Sequence, residues 1–235
     1  VIDEAHVYRG VFGSHVANVI RRLRRLCRLY HSNPQFICCS ATIANPQEHV
    51  QRLTGLPATV IADDGSPHGP REFAFWNPPI IGRNGERRSA NSEATVLFTE
   101  LAKCGIRNIT FTKSRKAAEL IFFYTREVLN KEAPNLVAQI ASYRAGYRPE
   151  DRRQIEQGLF HGRLIGVTAT NALELGVDIG SLDATVLTGY PGSVASTWQQ
   201  AGRAGRGRDQ ALSLLIGLDN PLDQYLMRHP EEFFR

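Results

Sequence analysis

Gln199-Gln200-Ala201-Gly202-Arg203-Ala204-Gly205-Arg206-Gly207-Arg208 is the stretch on which the reading of this chain turns. Arg203 and Arg206 stand three residues apart, so a helical start to the segment puts both guanidiniums on one face. The Gly and Ala residues between them leave room for another surface to approach. Two rigid forks of donors aimed one way suit a chain of phosphates better than a protein carboxylate. Trp198, just ahead, is the expected anchor of the segment in a core. Taken alone, the ten residues read equally well as a basic, glycine-rich surface loop.

The other end of the chain separates the two readings. Val1-Ile2 reads as the end of a buried strand that delivers Asp3 and Glu4 to its carboxyl edge, where open α/β sheets bind ligands. One carboxylate can hold a hydrated Mg²⁺ while the other orients or deprotonates a water. Paired carboxylates and paired arginines are complementary parts of a phosphoryl-transfer site, in which metal and arginine neutralise charge developing on the γ-phosphate.

Between the two ends, residues 36–39 form a short apolar strand that stops at Ser40-Ala41-Thr42, on the same edge as Asp3. Residues 14–32 carry Val16, Val19, Ile20, Leu23, Leu26, Cys27 and Tyr30 at three- and four-residue steps. This predicts a helix with Ser14 as its N-cap and an apolar stripe packed on a sheet. Arg21, Arg22, Arg24, Arg25 and Arg28 fill its other faces. They read as a solvated surface, with a phosphate contact as the alternative. A second helix over 46–53 is opened by Asn45 and Pro46 and stopped by Gly55. Residues 57–91 are rich in Gly, Pro and polar types, with strand-like runs at 59–62 and 72–76, and read as crossing strands and a hinge. From residue 92 the patterns alternate. Strands are expected at 108–112, 138–142, 164–168, 184–188 and 211–216, and helices at 92–103, 114–129, 149–159, 193–201 and 221–228. That alternation predicts an α/β fold with a parallel sheet and helices on both faces. The domain reading is the C-terminal part of a first α/β domain over 1–56, the crossing at 57–91, and a complete second domain over 92–235.

A chain of 235 residues with 42% hydrophobic content can bury a substantial core, and its net charge of +5 favours an anionic partner. The four cysteines include the adjacent pair Cys38-Cys39 and make neither a CxxC pair nor a disulfide framework. They are expected as packed thiols in a reducing cytosolic compartment. No run of about 18 apolar residues and no signal peptide is apparent, so no membrane partner is expected. The sequence opens on Val1 rather than Met and contains no GxxxxGK[ST] phosphate loop. A fragment whose phosphate loop lies upstream is therefore expected, and it should bind ATP poorly by itself.

Asp3-Glu4-Ala5-His6, Ser40-Ala41-Thr42, the run Thr170 to Asp178 and Gln-x-x-Gly-Arg-x-Gly-Arg from Gln199, in that order, resemble motifs II, III, V and VI of superfamily 2 helicases of the DEAH type. The glycine-punctuated Tyr8-Arg9-Gly10-Val11-Phe12-Gly13-Ser14-His15 is similar, more narrowly, to DNA-repair helicases typified by the bacterial mitomycin repair factor and its fungal RecQ-like relatives. The resemblance implies two RecA-like lobes, of which this chain would hold the end of the first and all of the second. It also implies ATP and Mg²⁺ as cofactors. Asp3 would bind the metal, Glu4 would activate water, and Arg203 and Arg206 would stabilise the transition state. His6, Ser40, Thr42 and Gln199 would couple nucleotide state to lobe position, the Ser40 and Thr42 hydroxyls bonding His6. Gly176 and Asp178 would lie by the ATP.

Thr112-Lys113-Ser114-Arg115 gathers hydroxyls and cations at a helix start and matches motif IV. The resemblance assigns nucleic-acid contacts to Thr112, Ser114, Arg115 and Thr170. Arg144, in Tyr143-Arg144-Ala145-Gly146-Tyr147 where many relatives have His-His-Ala-Gly, is the further candidate. The implied whole is a monomeric 3′ to 5′ motor on single-stranded or forked DNA, cytoplasmic or, in a bacterium, nucleoid-associated. An RNA helicase or RNA-dependent ATPase stays open, as does a non-enzymatic nucleic-acid-binding lobe.

Overall fold

The computed structural model describes every residue except Thr42, Asp64, 66–68, 82–84, 175, 176, 206–209 and Arg235. It divides into two compact units, Val1–Gly65 and Ser66–Arg235. The helices are α1 (Gly10–Leu29), α2 (Pro46–Thr54), α3 (Ala90–Lys103), α4 (Arg115–Glu132), α5 (Pro149–Phe160), α6 (Val194–Ala201) and α7 (Pro221–Arg228). The strands are β1 (Arg71–Trp76), β2 (Asn108–Thr112), β3 (Ile140–Tyr143), β4 (Gly166–Ala169), β5 (Ala184–Thr188) and β6 (Ala211–Ile216).

In the second unit all six strands run parallel in the order β1-β6-β5-β2-β4-β3. Period-two alternation sends Ile109 and Phe111 of β2 to one face, where they meet Tyr143, Leu159, Val167, Ala169 and Leu173. On the other core, Ala94, Phe98 and Leu101 of α3 and Ile121 and Leu129 of α4 pack with Val186, Leu214 and Ile216. Both faces are buried, as parallel sheets require. Some of the hydroxyls that this buries are paired, Thr168 Oγ1 donating to Ala118 O at 2.9 Å and Thr185 Oγ1 to Ser213 Oγ at 2.9 Å, whereas those of Thr110 and Thr188 find no partner among the described residues. Gly166 admits the Phe98 ring so closely that a Cβ there would sit 2.7 Å from it.

Two features depart from the sequence expectation. Of the strand-like runs in 57–91, residues 59–62 form no strand. The run at 72–76 becomes β1, paired with β6 from Arg71↔Ala211 to Trp76↔Ile216. Part of the stretch read as a crossing is therefore the edge of the second sheet. Helix α4 also runs on to Glu132, because the first residue that cannot continue it is Pro134.

The first unit is built on α1 and α2. Helix α1 starts at Gly10, four residues before Ser14, whose hydroxyl donates to Gly10 O inside the helix instead of capping it. Ala17 and Ile20 pack with Leu53, flanked by Ile2, Tyr8, Val16 and Phe36. Val19, Leu23, Leu26 and Tyr30, expected against a sheet, are exposed. Among its described residues this unit supplies one parallel bridge, Ile2↔Cys38, and no sheet for that stripe to cover. Helix α2 does start at Pro46 and end at Gly55, whose φ of 70° lets its N–H donate to Gln51 O.

Candidate nucleotide and nucleic-acid site

Because every strand of the second sheet is parallel, the loops leaving their carboxyl ends share one edge. Thr112 ends β2, Arg144 follows β3 and Thr170 follows β4, so three of the residues assigned to nucleic acid lie along that edge, with Ser114 and Arg115 just past β2. Ser114 caps α4, its Oγ accepting from Ala117 N at 3.1 Å, so the start of α4 is presented beside the exposed Arg115. Thr112 is buried and its hydroxyl bonds back to Ser114 O at 3.0 Å; it shapes the turn.

Arg144 is held from two sides. Its guanidinium lies 4.9 Å from the Tyr147 ring centre and its Nε 3.4 Å from Glu119, which also accepts the Tyr147 hydroxyl at 2.8 Å. Next to it, Tyr143 donates to Glu156 at 2.6 Å, and burial first, then that carboxylate, push its phenol up to about 12. Burial and Glu119 raise Tyr147 in the same direction. Sequence reading singled out Arg144 and missed Glu119 and Glu156, because their partners are brought to them across the fold.

The arginine motif follows α6. Arg203 is buried and braces the preceding motif: Nε donates to Glu174 O at 3.1 Å, Nη2 to the same carbonyl, and Nη1 to Val177 O at 2.8 Å. The Glu174 carboxylate in turn accepts from Ser196 Oγ and from Gln200 Nε2 at 2.9 Å. Glu174 and Val177 are thus tied to Ser196, Gln200 and Arg203 by one set of hydrogen bonds, and Glu174, Ser196 and Gln200 join the site as residues that motif reading overlooked. Gln199, assigned to coupling, is half-buried beside them. Gly205 has φ 70°, donates to Leu182 O at 3.0 Å, and a Cβ there would meet Ala211 at 2.7 Å, which explains the glycine in this motif. Its carbonyl accepts from Arg71 of β1 at 2.8 Å.

Trp198, expected in a core, is 37% exposed and packs on Phe73, Phe233 and Phe234. Asp178 is exposed and accepts from Gly180 N at 3.1 Å. A 190 Å³ pocket opens among Thr112, Lys113, Asn171, Glu174, Thr188 and Gln200.

In the first unit, Ile2 and Ala5 exchange backbone bonds with Ile37 and Cys39, so the acidic motif and Ser40-Ala41 leave adjacent segments. Asp3 Oδ1 accepts from Glu4 N at 2.9 Å, and Glu4 takes a left-handed φ of 50°. His6 is buried, and its Nδ1 accepts from Ala41 N at 3.3 Å; with that nitrogen accepting, Glu4 Oε2 at 3.4 Å is a neighbour and not an acceptor of its proton. One contact between the motifs thus runs through the main chain of Ala41, and the Ser40 hydroxyl, expected on His6, donates to Ala41 O at 2.8 Å. His49 of α2, unforeseen from sequence, lies 2.7 Å from Ala5 O. Thr42, Gly176 and Arg206, assigned above to coupling, ATP and the transition state, lie outside the described residues.

Comparison with known proteins places this edge in a class. The model of the helicase conserved C-terminal domain matches residues 94–208, which makes the second unit a helicase lobe with a RecA-like sheet. The chain is 54% identical over 235 residues to the uncharacterised ATP-dependent helicase YprA of Bacillus subtilis, covering 100% of this chain and 31% of that protein. It is 44% identical over 237 residues to the ATP-dependent helicase Hrq1 of Saccharomyces cerevisiae, covering 98% and 22%. The crystal structure of the DUF1998 helicase MrfA bound to DNA superposes with a TM-score of 0.94 at 53% identity, covering 99% of this chain and 31% of that one. The chain belongs to the superfamily 2 helicases, in the family of the mitomycin repair factor and the RecQ-like Hrq1 helicases. It spans about a third or less of the length of these relatives.

Proposed function

We propose that this chain is the part of an ATP-dependent DNA helicase that carries motifs II to VI, working 3′ to 5′ on single-stranded or forked DNA in repair. The observation that carries the reading is the bracing of Glu174 and Val177 by Arg203, which ties two helicase motifs together. A change at one of them is then felt by the other, as an ATP-driven motor needs. Thr170, Ser114 and Arg115 on the same sheet edge supply phosphate-binding chemistry without base readout, so affinity should fall steeply with salt. Arg144, already shared with Glu119, would join them by exchanging that carboxylate for a phosphate.

Asp3 suits Mg²⁺: it is exposed, one carboxylate oxygen is engaged by Glu4 N, and this ion needs only one or two protein carboxylates beside water and phosphate. Bound there, the metal would neutralise phosphate charge, while Glu4 orients the attacking water and His6 holds the motif to Ala41. Work as a monomer, in the cytoplasm or on a nucleoid, belongs to the same proposal.

The test is ATP turnover by the longer protein that contains this segment, at one fixed salt concentration, alone and with single-stranded DNA or RNA. Stimulation by DNA is expected, together with a loss of roughly 10³-fold in turnover for Arg206→Ala while DNA binding persists. Stimulation by RNA alone would move the reading to an RNA motor. No turnover in any condition would reduce the chain to a nucleic-acid-binding lobe.

A further inference from the structure

Five arginines of α1 have no part in the helicase motifs. Arg21, Arg22, Arg24, Arg25 and Arg28, with Asn18 and Gly55, line a 660 Å³ groove between α1 and the end of α2. They divide into two groups. Arg24 donates to Thr54 O at 2.9 Å and Gly55 O at 3.0 Å, and Arg21 to Arg52 O at 3.3 Å, so these two satisfy the carboxyl end of α2. Arg22, Arg25 and Arg28 are exposed, and no carboxylate pairs with them among the described residues. The nearest acid on α2, Glu48, pairs instead with Arg52 at 2.5 Å.

Like charges one turn apart weaken a helix, and no carboxylate lines the groove to offset that here. From Arg22 to Arg28 the helix rises about 9 Å. Phosphates of one duplex strand recur about every 3.4 Å along the axis, so two or three of them fit the span. Guanidinium forks match phosphate oxygens bidentately, and no carboxylate lines the groove to repel them.

We infer that the groove between α1 and α2 is a second nucleic-acid contact, in which Arg22, Arg25 and Arg28 hold the phosphate backbone of a DNA strand in addition to the contacts made by motifs IV and V. This rests on the DNA-motor reading and adds a site to it. The experiment uses the longer helicase with Arg22→Gln, Arg25→Gln and Arg28→Gln combined, leaving Arg21 and Arg24 to hold α2. Binding of a labelled single strand and of a labelled fork is followed by anisotropy across a salt series.

The expected result is a Kd raised about tenfold and a log Kd against log salt slope reduced by about 2, with the triple Lys variant restoring the slope. Loss on the fork alone assigns the groove to duplex, and loss on both assigns it to single strand. An unchanged Kd and slope would overturn the inference. So would a weakening that the Lys variant shares equally, since that reports altered folding. If the parent protein neither bound DNA nor hydrolysed ATP, the motor reading itself would fail; if it did both and the variant matched it, only the groove would.

Discussion

At the scale of single residues, the site is legible in sequence as residue types and illegible as partnerships. Arg203 was found because it sits in a spaced basic motif, but its role as a brace needed Glu174 and Val177, 29 and 26 residues away, to present their carbonyls. Tyr143 shows the same limit with a measurable consequence. Its neighbour in space is Glu156, thirteen residues on, and the pair sits beside the Arg144 loop. The folded phenol is raised from 10.0 to about 12, so the fold favours the protonated form. That contribution is fully present below pH 10 and is lost as pH climbs from about 10 to about 12. Tyr143→Phe should therefore melt earlier at pH 8 and show a flatter fall in stability between pH 10 and 12 than the parent. Parallel curves in thermal melts across that window would contradict the assignment.

At the scale of elements, periodicity located β2 to β6 because each is a short apolar or hydroxyl-bearing run buried on both faces. Strands β2, β5 and β6 and helix α7 have the bounds that patterning predicts. It failed where the local pattern depends on what covers it. The stripe of α1 has helical spacing, yet Val19 and Leu23 are exposed, since spacing states that a face is apolar and not what packs there. Gly166 is a second such case: in sequence it is a weak residue in the middle of the strand expected at 164–168, and in the fold it opens β4 as the seat of the Phe98 ring. Its backbone is unstrained, so Gly166→Ala tests packing alone. The added methyl should cost roughly 1–3 kcal/mol, because Phe98 is fully buried and has nowhere to move. Calorimetry should show a lower Tm, partly recovered when Phe98→Leu is added, and an unchanged Tm would mean that the ring is loosely held.

At the scale of the whole molecule, the two units differ in how much holds them. Among the described residues, the first has Ala17, Ile20 and Leu53 as its buried apolar cluster and one parallel bridge, whereas the second has two extensive clusters on a six-stranded sheet. Hydrogen exchange on the 235-residue chain should find the amides of Ile2, Ala5 and Cys39 opening well before those of β2 and β5. Uniform protection would show one cooperative unit instead. The sequence by itself determined the parallel α/β class and the order of the helicase motifs, because both are written in local spacing: two-residue and 3.6-residue periods, and short runs of phosphate-binding residue types. Only the tertiary structure decided that Arg71–Trp76 is a sheet edge, that Arg203 braces Glu174 and Val177, and that Arg22, Arg25 and Arg28 share a groove with no acid in its lining. Each of those depends on which distant segment arrives alongside, and no local period encodes that.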